Sequence, residues 1–187
     1  KYIKQITDCI KSNFTFDNEY EMAIECSPAY FEFKHIELLK EYGFNRISVG
    51  VQDFEKNVLD AINREPSKLP LEDIVAKIRK EGFTGTNIDL VYGLPLQTVE
   101  SFNKTVDRAI KLGTDRIVTF SYAHVPSVIP RQKTLEKIGF PLPSEKAIMY
   151  QNAYDKLIGA GYIAIGMDHF ALPHDELAIA LKNKTLH

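Results

Sequence analysis

Four times along this chain an amphipathic stretch ends in a glycine and an apolar or β-branched run follows within a few residues, at Gly43, Gly82, Gly113 and Gly161. Glycine just past a helix end takes the left-handed conformation at no steric cost, so each of these positions marks a helix stop that leads into a strand. The stretches between them carry core-facing helical spacing, as in Leu71, Ile74, Val75 and Ile78, or Phe102, Val106 and Ile110. Pro70 and Thr98 supply helix starts. The predicted strands are Met22–Cys26, Arg46–Gln52, Thr86–Tyr92, Arg116–Ser121 and Tyr162–Met167. Strands that alternate with helices are joined by crossovers and run parallel, which predicts an α/β fold: a parallel sheet of about five strands with flanking helices, or part of a (β/α) barrel.

A chain of 187 residues with 44% hydrophobic content can bury one core unaided, so residues 1–187 are expected to form a single domain. The net charge of −2 gives no field that would draw nucleic acid or anionic lipid, which leaves a small or enclosed ligand as the expected partner. Cys9 and Cys26 are too few for a disulfide framework and suit a reducing compartment, so a cytoplasmic location is expected. No apolar run reaches the roughly 18 residues a membrane span needs, and Lys1 to Asp8 has no signal-peptide core. The first residue is not methionine and the opening reads as the middle of a helix, as in a segment of a longer protein.

In α/β folds the chemistry sits at the carboxyl ends of the strands. Those ends carry Glu25, Cys26 and Ser27; Gln52 and Asp53; Asp89 and Tyr92; Tyr122, Ala123 and His124; then Asp168 and His169. Asn87 and Asp89 alternate with Ile88 and Leu90, which places a carboxylate opposite the aliphatic face; it is either satisfied locally or reserved for a ligand. Glu25 and Gln52 can hydrogen-bond a ribose, an amino group or an amide, and Arg64 can fork onto a carboxylate or lie solvated at the surface. Cys26 reads as a buried small residue rather than a nucleophile, and no metal site is read from the five histidines.

Two blocks, Gly43-Phe44-Asn45-Arg46-Ile47-Ser48-Val49-Gly50-Val51-Gln52-Asp53-Phe54 and Asn87-Ile88-Asp89-Leu90-Val91-Tyr92-Gly93-Leu94-Pro95, resemble the coproporphyrinogen oxidase branch of the radical S-adenosylmethionine proteins. Two more, Tyr122-Ala123-His124-Val125-Pro126 and Gly166-Met167-Asp168-His169-Phe170-Ala171, are similar to the oxygen-independent coproporphyrinogen III oxidases, whereas the related haem chaperones, the alternative reading, usually differ in both places. The resemblance runs from about Glu21 to His187.

What the resemblance implies is specific. The fold would be the later half of an incomplete (β/α)6 barrel. Glu25, Gln52, Arg64, Asp89 and Ala123 match positions that bind S-adenosylmethionine, while His124 and His169 match no assigned role. The family's Cys-x-x-x-Cys-x-x-Cys motif for a [4Fe–4S] cluster is absent from this sequence, as is the glycine-rich strand end that follows it, so truncation is expected and the chain alone should be inactive. The full-length enzyme would convert coproporphyrinogen III to protoporphyrinogen IX in haem synthesis by oxidative decarboxylation, using a 5′-deoxyadenosyl radical. A barrel cut before its first strands would expose an edge near Met22–Cys26, from which self-association as a homodimer is expected.

Overall fold

The computed structural model describes residues 2–186. Its elements run α1 (Tyr2–Asn13), β1 (Ala23–Cys26), α2 (Phe33–Glu41), β2 (Arg46–Gln52), α3 (Lys56–Ala61), α4 (Leu71–Lys80), β3 (Gly85–Tyr92), α5 (Val99–Leu112), β4 (Arg116–Ser121), α6 (Pro143–Gly159), β5 (Ile163–Gly166), β6 (His169–Ala171) and α7 (Glu176–Asn183), with short 3-10 turns at Pro28–Tyr30 and Pro130–Lys137. Six strands form one sheet in the order β1-β2-β3-β4-β6-β5. The first four are parallel, while β6 runs antiparallel to both β4 and β5.

The α/β architecture matches the expectation, with one correction. The fifth predicted strand does not lie beside β4. It folds into a hairpin with β6, and β6 occupies the place next to β4, with Val118 opposite His169 and Arg116 opposite Ala171. The sheet is therefore mostly parallel, with an antiparallel strand inserted near one edge. Among the described residues β1 pairs with β2 alone, which makes it the other edge.

The helices form where capping and periodicity agree. Thr98 opens α5 with a reciprocal cap, its side chain accepting from Ser101 N while Ser101 accepts from Thr98 N. The face of α5 carrying Phe102, Thr105, Val106, Ala109 and Leu112 is buried, and Gly113 ends the helix at φ +63°. In α4, Leu71, Ile74, Val75 and Ile78 are buried, with Glu72 and Asp73 in the first turn and Arg79 and Lys80 in the last, as the helix dipole favours. These faces pack on the aliphatic side of the sheet, where Ile47, Ile88, Leu90 and Ile117 have no exposed surface. Truncating one such side chain to alanine would cost about 2–5 kcal/mol.

Strand pleating sends the alternate residues to the opposite face, and there the composition changes. Arg46, Ser48, Asn87, Asp89 and Arg116 stand on it, and Arg46 lies so flat on Gly85 that a Cβ there would have no room. At its amino end this face is closed by ion pairs. Asp175, only 4% exposed, receives Arg116 Nε at 2.9 Å and Arg46 Nη1 at 3.4 Å, while Glu176 receives Arg116 Nη2 at 2.7 Å and Arg46 Nη2 at 2.9 Å. Asp175 also caps α7 by accepting from Leu177 N. Among the described residues no helix is long and apolar enough to cross a membrane.

Candidate functional site

The polar face carries two adjoining hollows, separated at the level of Gly50 and Asp89, which are register partners. The lower one, of about 240 Å³, is lined by Glu25, Ser48, Asn87, Arg116 and His169 among others. Asp89 stands behind it at 9% exposure, accepting from Ser48 Oγ and from Asn87 Nδ2, each at 2.8 Å. Its satisfaction thus comes from two neutral side chains rather than from backbone amides or a lysine. Asn87 is pinned in turn, since its amide also donates to Ser48 Oγ at 2.8 Å, and its Oδ1 is buried with no partner among the described residues. A buried acceptor without a donor is a place where a ligand's N–H or O–H would be bound favourably.

The upper hollow, of about 730 Å³, lies at the carboxyl ends of β2 and β3 and is lined by Gln52, Arg64, Val91, Leu94, Tyr122, Arg131 and Gln132 among others. Arg64 follows α3, where the chain turns through Asn63 at φ +54°, and its Nη2 donates to the Gly50 carbonyl at 2.8 Å. Gln52 and Arg64 converge above Gly50: a Cβ added there would stand 2.8 Å from Gln52 Nε2 and 2.9 Å from Arg64 Nη2. The missing side chain makes the space in which an amide and a guanidinium meet.

The sequence-based site residues are therefore brought together in part. Gln52 and Arg64 share the upper hollow, Glu25 lines the lower one, and Asp89 lies at the boundary. Ala123 is exposed beside the upper hollow rather than in its lining, and its carbonyl accepts from Gln132 Nε2 at 3.0 Å. His124 pairs through Nε2 with Glu136 Oε1 at 3.1 Å and packs against Phe140, with ring centroids 4.7 Å apart. His169 stands edge-on to Phe120 in the lower hollow. Sequence reasoning gave no role to Ser48 or Gln132; the first needed the register of β2 against β3 and the second the path of the 3-10 segment, neither of which has a local signature.

The donor set suits a zwitterionic ligand that also carries hydroxyls: a guanidinium and an amide for a carboxylate, carboxylates for an ammonium group or hydroxyls, and no Cβ at Gly50. It does not suit an iron–sulfur cluster. The two cysteines are far apart in kind, Cys9 exposed on α1 and Cys26 half-buried with its thiol pushed up to about 12 by burial. Among the described residues no group of three or more His, Cys, Asp or Glu is placed to hold a metal ion.

Comparison with known proteins identifies the family and the fold. The family model for the Radical SAM superfamily matches residues 1–109. The oxygen-independent coproporphyrinogen III oxidase of Escherichia coli is 41% identical over 185 residues, covering 99% of this chain and 40% of the relative. The enzyme of that name from Pseudomonas aeruginosa is 42% identical over 174 residues, covering 93% and 38%. The chain thus spans about two fifths of the length of the curated relatives it matches. A solved coproporphyrinogen III oxidase from Escherichia coli, described as a radical SAM enzyme, superposes on 99% of this chain and 43% of its own with a TM-score of 0.94. A radical S-adenosylmethionine methyltransferase from Kitasatospora setae, 18% identical, shares the fold over 66% of this chain and 24% of its own at a TM-score of 0.52. With the family model matching more than half of its residues, this chain belongs to the Radical SAM superfamily.

Proposed function

We propose that the protein is an oxygen-independent coproporphyrinogen III oxidase, and that residues 1–187 form one folding unit supplying the later half of its barrel. The observation that carries this reading is the alignment to oxidases of that name along 99% of the chain, at 41% identity. The blocks around Tyr122–Pro126 and Gly166–Ala171 favour the oxidase over a haem chaperone on the same scaffold.

In this reading the face built on Gly50 and Asp89 binds S-adenosylmethionine. Arg64 holds its carboxylate, Gln52 adds an amide contact, Glu25 and Asp89 take an ammonium group or ribose hydroxyls, and the exposed Ala123 offers flat backbone beside a ring. When bound, the cofactor would supply the carbon radical chemistry that removes hydrogen from a propionate side chain, which then loses carbon dioxide and one electron, the latter to an external acceptor, to leave a vinyl group. The chain's own residues orient the ligand and, with the aliphatic core behind them, limit access of water. The cysteines here do not serve the cluster. Two unpaired cysteines suit a cytoplasmic enzyme.

The test is anaerobic turnover by the full-length protein. S-adenosylmethionine-dependent conversion of coproporphyrinogen III to protoporphyrinogen IX is the expected result. Tight haemin binding, with a Soret band and no conversion, would replace the oxidase reading by the chaperone one.

A further inference from the structure

At the end of β2 the chain makes an unusual turn. Asp53 N donates to Val51 O at 2.9 Å across Gln52, whose φ is +68°. A bond from residue i+2 back to residue i across a positive-φ centre is the strained form of the γ-turn, and glutamine has neither the freedom of glycine nor the short side chain of asparagine to ease it. The turn breaks the register against β3, where Gly50 faces Asp89 but Gln52 faces Leu90. Its effect is to carry the Gln52 amide back over Gly50, beside Arg64. Strain of this kind persists only where the surroundings fix it.

The fixing group is Asp53, 1% exposed. Its Oδ1 accepts from Glu55 N at 2.8 Å and from Thr105 Oγ1 at 2.9 Å, and its Oδ2 accepts from Gln97 Nε2 at 2.5 Å. Gln97, 4% exposed, also donates to Val91 O and accepts from Leu94 N, each at 2.8 Å. One carboxylate thus ties the end of β2 to α5 and to the loop after β3, and Val91 and Leu94 line the same hollow as Gln52. Among the described residues no Lys, Arg or His nitrogen lies within 4.0 Å of Asp53, so it forms no ion pair and is held by hydrogen bonds alone. Three donors converge on it, so an asparagine would turn its own N–H₂ toward one of them. Gln97 cannot flip to compensate, because both ends of its amide are committed to backbone partners.

We propose that Asp53 is a positioning residue that acts through Gln52: its buried carboxylate locks the γ-turn that presents the Gln52 amide beside Arg64. The proposal rests on the reading that this face binds S-adenosylmethionine. A double-mutant cycle in the full-length, cluster-loaded protein tests it, with S-adenosylmethionine affinity measured by equilibrium dialysis for Asp53→Asn, Gln52→Ala and the pair. Asp53→Asn is expected to weaken binding on the order of tenfold in the presence of Gln52 and to add nothing in the Gln52→Ala background. Equal losses in both backgrounds, or none in either, overturn it.

A ligand-free measurement separates this failure from failure of the binding-site reading. Glycine tolerates φ +68°, so Gln52→Gly is expected to shift Tm upward by several degrees more when Asp53 is present than in the Asp53→Asn background, where the turn relaxes. Equal shifts refute the lock whatever binds there. Unequal shifts with wild-type affinity in Gln52→Ala and Arg64→Ala refute the site reading and, with it, the proposal's claim on ligand binding. Should Asp53→Asn fail to fold, Thr105→Val removes one of the three donors and carries both measurements.

Discussion

Arg64 reaches back to the carbonyl of Gly50, fourteen residues earlier, and the 2.8 Å bond lays its guanidinium across the spot where any other residue would carry a Cβ. The expected outcome of Gly50→Ala follows from which atoms the new methyl meets. Both are the far ends of flexible side chains, so they move and the fold persists. Calorimetry should show a Tm change of about 2 °C or less, while S-adenosylmethionine affinity in the full-length protein falls about tenfold.

Asp89 makes a sharper contrast between shape and charge. Asp89→Ala strands the Ser48 hydroxyl and the Asn87 amide and should cost about 1–3 kcal/mol in urea unfolding. Asp89→Asn keeps the volume and one acceptor oxygen, so it should lose less stability than the alanine variant but as much ligand affinity. Full affinity in Asp89→Asn would reduce the carboxylate to a packing group.

Asp175 is expected to be the costliest single polar deletion in the chain. Its side chain is 2% exposed and meets both Arg46 and Arg116, so Asp175→Ala leaves two mostly buried guanidinium groups short of a partner and should cost about 3–5 kcal/mol. Asp175→Asn retains the cap on α7 while removing the charge. Denaturant midpoints of the two variants separate capping from ion pairing.

Burial also sets an alkaline limit. The Tyr162 hydroxyl donates to Thr114 O at 2.7 Å, and desolvation pushes its pKa up from 10.0 to about 12. Because the folded state favours the protonated phenol, this contribution is fully present below pH 10 and is lost as pH rises toward about 12. Tyr162→Phe should cost about 1 kcal/mol near neutrality and should flatten the fall in stability across that window. A wild-type slope retained in the phenylalanine variant would assign the alkaline loss elsewhere.

The two thiols should differ in reactivity. With its pKa near 12 and its side chain half-buried, Cys26 has almost no thiolate at pH 8, whereas Cys9 is exposed. Iodoacetamide at pH 8, followed by peptide mass analysis, should label Cys9 alone until denaturant is added.

Several of these features were legible in the residues and others were not, for physical reasons. All four helix-stop glycines take positive φ, from +63° at Gly113 to +96° at Gly43, because a requirement for left-handed backbone is local and leaves a local mark. The strands β2 to β4 announced themselves as apolar or β-branched runs just past Gly43, Gly82 and Gly113. Strand β6 did not: three residues are too few for a period, and its turn from β5 uses Met167 at φ +50° where glycine or asparagine would have signalled a hairpin. The strained turn at Gln52 was hidden for the same reason, since nothing about glutamine advertises positive φ. The ion cluster was hidden by distance, with Arg46 and Asp175 separated by 129 positions. Of the site, the residue types and their strand ends could be read, but the meeting of Gln52 with Arg64 depends on a loop path that no spacing encodes.

The same ion cluster has a directional consequence. Arg46, Arg116, Asp175 and Glu176 make a floor beneath the polar face, laid where β2 and β4 begin and sealed by the first turn of α7. Contacts to a guest on that face are therefore left to its sides, where Glu25 and His169 are exposed, and to its carboxyl end, where Arg64 and the 3-10 segment Pro130–Lys137 flank the larger hollow.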